Sequence, residues 1–181
     1  MSHLTVYADD DPATRRIDTG SFDEIRAALD DAGIRFERWT ADRPVAAGAD
    51  DETIIDAYQS YIDRLVDEGG YRTWDVVSMN PDHPEKDAFR RKFLDEHVHS
   101  EDEVRFFVRG QGLFVMHVGN KVFSLLCEKD DLISVPAGTK HWFDMGPNPV
   151  FTAIRLFNNP EGWVASFTGD PIAGRFPRLE N

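Results

Sequence analysis

Cysteine is almost missing from this chain. Cys127 is the only one among 181 residues, so no internal disulfide forms and a disulfide-stapled secreted scaffold is excluded. Its mostly apolar neighbours, Val122 to Leu126, suit a small buried side chain better than an exposed nucleophile. Basic residues are the second shortage. Twenty Lys and Arg stand against thirty-three Asp and Glu, a formal charge of −13, and so acidic a chain repels phosphate backbones and anionic membranes at long range. Neither nucleic acid nor a membrane is expected as a partner. Long apolar runs are also absent: no stretch of about eighteen such residues occurs, and the opening MSHLTVYADDDPATRR has no basic segment followed by an apolar one. A cytoplasmic protein is expected, and without an interface signal such as a heptad the acidic surface favours a monomer. Internal repeats and low-complexity linkers are missing too, so residues 1–181, 41% hydrophobic, are read as one domain able to bury its own core.

What is there changes texture near residue 94. Within 1–93, helix and short strand are mixed. Leu4 to Tyr7 is extended, Ser21 to Glu24 has the spacing of a capping box, and Phe22, Ile25 and Leu29 form the buried stripe of the helix it opens. A second helix is read from Ile54, Tyr58, Ile62 and Leu65, stopped by Gly69-Gly70, and a third from Pro84 to about Phe93. From 94 to 166 the runs EVRFFV, GLFVMHV, KVFSLL, LISV, KHWFDM and VFTAIRLF are β-branched and aromatic, broken by Gly, Pro and Asn. That spacing predicts a mainly β protein, a small antiparallel barrel or sandwich with the N-terminal helices packed outside it, and residues 167–181 as a tail.

The chemistry is concentrated in Glu96-His97-Val98-His99-Ser100-Glu101-Asp102-Glu103. Two imidazoles two residues apart share one face of a strand, and Glu103, an even offset further on, returns to it if the polar stretch keeps the alternation. A fourth ligand comes from His141, which opens a strand after the turn-forming Pro136-Ala137-Gly138-Thr139. Three imidazoles and one carboxylate suit one divalent Fe, Ni, Co or Mn ion per chain and lack the thiolates typical of structural zinc sites. Arg105, two residues past Glu103, follows the same alternation inward. There it either pairs with a buried carboxylate or contacts an anionic substrate.

The pattern H-x-H-x3-E-x6-G, completed by Gly110, followed by P-x-G-x2-H, resembles the paired signatures of the cupin superfamily, whose fold is a jelly-roll-like double-stranded β-helix. Two positions depart from it: Asp130 replaces the usual leading Gly, and Met145 stands where Asn is common. Within that superfamily, YRTWDVV, EHVHSEDEVRFFVRGQGLF, DLISVPAGTKHWFDMG and FTAIRLFNNPEGWVA together resemble the acireductone dioxygenase family over most of residues 71–166. The resemblance implies an enzyme of methionine salvage that cleaves 1,2-dihydroxy-3-keto-5-methylthiopentene, a small enediol, with O2. With Fe(2+) the expected products are 2-keto-4-methylthiobutyrate and formate. With Ni(2+) they are methylthiopropionate, formate and carbon monoxide. It further implies His97, His99, Glu103 and His141 as ligands, Arg105 as the residue that helps form the substrate dianion, and Asp102 as a transmitter of local conformational change.

A flavonol-cleaving cupin would use the same ligands, and a ligand-sensing cupin would need no redox-capable set. His3, His83 and His117 read as terminus, loop and strand residues without a site role. Trp142, Phe143 and Trp163 are candidates for an apolar pocket or for core.

Overall fold

A computed structural model of the chain describes residues 1–159 and 164–180. Its strands are β1 (His3–Ala8), β2 (Asp11–Thr19), β3 (Arg35–Arg38), β4 (Thr73–Met79), β5 (His97–Val98), β6 (Glu103–Val118), β7 (Lys121–Glu128), β8 (Asp131–Val135), β9 (Lys140–Asp144), β10 (Phe151–Phe157) and β11 (Ser166–Phe167). The helices are α1 (Phe22–Asp30), α2 (Asp51–Ala57), α3 (Gln59–Gly69) and α4 (Lys86–Phe93). All pairings are antiparallel. One layer runs β11-β5-β9-β6-β7-β1-β2, the other β3-β8-β6-β10-β4. The two layers share β6, which joins the runs read separately as EVRFFV and GLFVMHV into one strand that changes partners at Gly110. Gly110 has φ +73, and a Cβ there would lie 1.8 Å from the Val150 carbonyl oxygen, so only glycine lets the strand cross between layers.

Between the layers lies the core that includes Phe36, Phe107, Phe114, Ile133, Phe143 and Phe151. On the outer face of the second layer, Val104, Phe106, Val108, Leu132 and Ile154 pack against Ile54, Tyr58, Ile62 and Leu65 of the α2–α3 segment. The mainly β architecture with outer helices is as expected, with one addition. The first eighty residues also supply four strands, because β1, β3 and β4 extend the barrel by pairing with β7, β8 and β10 and β2 pairs with β1. The tail is packed rather than trailing: Phe167 pairs with His97, and Ile172 and Phe176 are buried against Tyr7 and Trp142.

Three local expectations need correction. The Ser21 side chain makes no cap bond, and Glu24 instead accepts the Thr19 hydroxyl at 2.6 Å, so a competing local partner dissolves the capping box. The helix through Ile54 to Leu65 is two, interrupted at Tyr58 (φ −121, ψ 14), although all four of its stripe residues are buried. The third begins at Lys86, since His83, Pro84 and Glu85 form a turn instead. Gly70 does end α3 in the left-handed conformation. Asp130, the departure from the cupin pattern, sits at φ 76, the conformation for which glycine is the default.

α4 is fastened by Arg90, which donates to both carboxylate oxygens of Asp144 at 2.8 and 3.1 Å. The buried Asp144 also accepts the backbone N–H groups of Gly146 and Leu179. Burial works to raise its pKa, and the Arg90, Gly146 and Leu179 hydrogen bonds outweigh it and hold it below the ordinary 3.8. Arg90→Ala strands a buried carboxylate. We expect it to cost about 3 kcal/mol, a fall in Tm of roughly 6–12 °C by calorimetry at pH 7. A depressed carboxylate stabilises the fold above its unfolded pKa and loses that contribution as pH falls through the folded one. The gap between wild type and variant should therefore narrow below pH 3.8; a gap that widens there would show that Arg90 acts otherwise.

Candidate metal centre and adjoining cavity

β5 is short, but its register decides the site. His97 is directly paired with His141 of β9, and β9 is paired with β6, the strand that begins with Glu103. His97, His99 and His141 are buried, and one ring nitrogen from each lies within 4.8 Å of the others. Glu103 joins them, with its Oε2 2.8 Å from His141 Nε2 and 3.5 Å from His99 Nε2. The four residues singled out in the sequence thus converge.

The spacing suits a metal ion. Cis ligand atoms about 2.1 Å from an octahedral ion stand roughly 3.0 Å apart. His141 Nε2 is fully buried and, despite its nearness to Glu103, has no partner in hydrogen-bond geometry among the described residues. Two groups aimed at a common third point produce this arrangement. The far nitrogens are tied to backbone carbonyls, His97 Nδ1 to Asp95 O and His141 Nδ1 to Thr139 O, each at 2.7 Å. Those bonds place the proton on Nδ1 and leave Nε2 as the lone-pair donor. Burial, then the nearby His141, pushes His97 down to about 4, so the ring is neutral at physiological pH.

Glu103 is ionised although buried. Burial would raise it, but the Arg105 guanidinium beside it opposes burial, and its carboxyl lies well below the usual range. Arg105 Nε donates to Glu103 Oε1 at 2.8 Å, while its guanidinium carbon lies 5.1 Å and 5.7 Å from the Phe143 and Phe114 ring centres. The two readings of Arg105 prove compatible. It pairs with a buried carboxylate, that carboxylate is Glu103, and it also lines the cavity beside the site. Asp102 is exposed and joins the two motifs: its Oδ1 accepts Ala137 N–H at 2.9 Å and its Oδ2 accepts the Tyr71 hydroxyl at 3.3 Å. Gly138 N–H to His99 O, 2.9 Å, runs parallel to that tie.

The cavity measures about 230 Å³. Arg105 and Arg155 flank it, and Phe89, Phe93, Phe143, Met145 and Phe151 supply most of its apolar wall. Of the expected aromatics, Phe143 lines it, Trp142 turns away into the Phe176 cluster, and Trp163 lies outside the described residues. Phe93 and Phe89 were missed because the third helix carries no charged or polar signal that points its aromatic face at a site. Arg155 was missed although a signal exists: it lies two residues past Ala153 and four past Phe151 in FTAIRLF, an inward-facing cation held by Asp75 at 2.7 Å. His83, set aside as a loop residue, also lines the cavity. His117, also set aside, hydrogen-bonds the buried Glu96 at 2.7 Å behind β5, and His3 pairs with Asp18 on the surface. Cys127 is fully buried, as expected.

The chain has clear relatives among known proteins. Residues 3–165 match the model of the ARD/ARD' family. The chain is 58% identical over 179 residues to the acireductone dioxygenase of Cronobacter sakazakii, with 99% of both chains covered. It is 59% identical over 181 residues to that of Pseudomonas aeruginosa, covering 100% of both. Among solved structures, acireductone dioxygenase from Bacillus anthracis with a cadmium ion in its active centre superposes with a TM-score of 0.79 at 27% identity, covering 92% of this chain and 98% of that one. A match to the family model across most of the chain, full-length relatives at this identity and a shared barrel establish that this chain belongs to the ARD/ARD' family.

Proposed function

We propose that the chain is a metal-dependent dioxygenase that cleaves 1,2-dihydroxy-3-keto-5-methylthiopentene with O2, holding one divalent ion through His97, His99, Glu103 and His141. The observation that carries this reading is the meeting of three buried imidazoles and an ionised carboxylate, next to a small cavity that Arg105 and Phe93 join to them. Full-length relatives named acireductone dioxygenase support it. The ion is Fe(2+) or Ni(2+), the donor set being equally open to Co(2+) or Mn(2+). When bound it supplies a Lewis acid and a template for two substrate oxygens.

The rest is the work of the chain. Asp95 O and Thr139 O fix the tautomers of His97 and His141. Arg105 faces the cavity with a permanent positive charge, which stabilises an enediolate dianion and lowers the cost of the second deprotonation. Phe143, Phe151 and Met145 exclude water from the tail of the substrate. Asp102 is a positioning residue that keeps the turn before His141 in register with the His97–Glu103 loop. The edge strand β2, with Pro12, Arg15 and Arg16, is poorly suited to pairing with another chain, which favours a monomer. No described helix is long and apolar enough to cross a membrane, and we place the enzyme in the cytoplasm.

The test is oxygen uptake by Fe(2+)- and Ni(2+)-loaded protein with acireductone, with products identified by mass spectrometry. Formate with the keto acid is expected for iron, and formate, carbon monoxide and methylthiopropionate for nickel. A fully loaded protein that consumes no O2 would sink the reading. A flavonol-cleaving activity is disfavoured by the cavity, which is small for a three-ring substrate.

A further inference from the structure

The cavity has a direction, which two independent rails define. Along the sheet, Arg105 is in register with Arg155 beside the metal-ligating residues, while Phe151 is paired with Met79 four residues further on. At about 3.3 Å per residue that is roughly 13 Å from one end to the other. Along α4, Phe93 packs against His97 with ring centres 6.4 Å apart, and Phe89 lies one turn back toward the start of the helix. His83, in the turn that joins β4 to α4, packs on Phe89 with ring centres 5.9 Å apart. Both rails put His83 at the end remote from the three imidazoles.

The local bonding orients its ring. His83 N–H donates to Asn80 O, its carbonyl accepts Lys86 N–H, and Nδ1 accepts the backbone N–H of Glu85 at 3.2 Å. With Nδ1 occupied as an acceptor, the neutral ring carries its proton on Nε2. The far end of the cavity is otherwise mostly apolar, formed by Met79, Phe89, Met145 and Phe151, and its other polar side chain, Ser78, is engaged with the Thr152 hydroxyl at 3.0 Å, so His83 brings a ring N–H donor to that end.

We propose that His83 is a specificity-determining residue, whose Nε2–H recognises an acceptor atom on the substrate's tail, the thioether sulfur of a methylthio chain. The inference rests on the dioxygenase reading above. A donor buried against an all-carbon tail loses its water partner and gains nothing, whereas a thioether offers a weak acceptor. His83 thus discriminates between tails of nearly equal size and leaves the chemistry at the metal end untouched.

The experiment compares the methylthio acireductone with its analogue in which CH2 replaces sulfur. KM and kcat are measured by oxygen uptake on Ni(2+)-loaded protein, and binding by anaerobic calorimetry. Wild type should prefer the thioether in KM and in binding by about threefold, with similar kcat for both. His83→Phe keeps a ring against Phe89 but has no donor, and the preference should fall to about one. His83→Asn supplies an amide N–H and an oxygen for Glu85 N–H, and should restore it. A His83→Phe enzyme that is active and retains the full preference overturns this role alone. A wild type that binds and turns over neither compound overturns the dioxygenase reading and this role together.

Discussion

His141→Ala is expected to reduce oxygen uptake by about 10³-fold or more and to leave the purified protein with little stoichiometric metal. His141 holds the second motif to the first. It faces His97 across the β5–β9 pairing and lies 2.8 Å from Glu103, so its loss opens one side of the donor set and leaves Glu103 facing a void. The barrel should survive, because β9 is held to β6 by backbone bonds from Lys140 to Asp144 that do not depend on the ring. Elemental analysis and the visible spectrum of Co(2+)-loaded protein provide the readout, with circular dichroism as the control for folding. Full metal occupancy with a normal cobalt spectrum would mean that His141 is not a ligand.

The second large effect is expected at Arg105. Arg105→Met should lower kcat/KM by about 10² to 10³, the range for removing one preorganised donor from a site where negative charge develops. Metal content should remain near that of wild type. Lysine is a poor replacement, because only the planar fork can donate to Glu103 while lying against Phe114 and Phe143. A pH profile separates this role from a structural one. Burial tends to raise Glu103 and the Arg105 guanidinium is the largest influence lowering it. In Arg105→Met the Glu103 pKa rises, and the acid limb of activity and of metal retention moves to higher pH. An unshifted acid limb with a normal rate would exclude Arg105 from both tasks.

Much of this site is legible in the chain because its signals are local. His97 and His99 stand two residues apart and bring their rings to one site although β5 ends at Val98, the turn before His141 is written in Pro136 and Gly138, and Arg105 follows Glu103 inward by a period of two. The outer helices were equally readable, since Ile54, Tyr58, Ile62 and Leu65 form one stripe and are all buried. Their interruption was not, because Tyr58 leaves helical geometry without a Gly or Pro to announce it. The Thr19 hydroxyl that occupies Glu24 defeats a correct local pattern with an equally local competitor. β2 escaped notice since its nine residues are largely exposed and carry no alternating stripe.

By itself, then, the sequence determined the kinds of side chain at the site, the inward alternation of Arg105 after Glu103, and the turns that begin and end the strands, all of which depend on sterics and periodicity over a few residues. Only the tertiary structure decided that His97 and His141 are paired, that Arg105 answers Glu103 as well as the cavity, and that α4 and the turn before it close one wall with Phe89, Phe93 and His83. The reason is physical. Alternation tells a side chain which way to point, but what it meets depends on the register between strands distant in the chain, and that register is chosen by burial summed over the whole core.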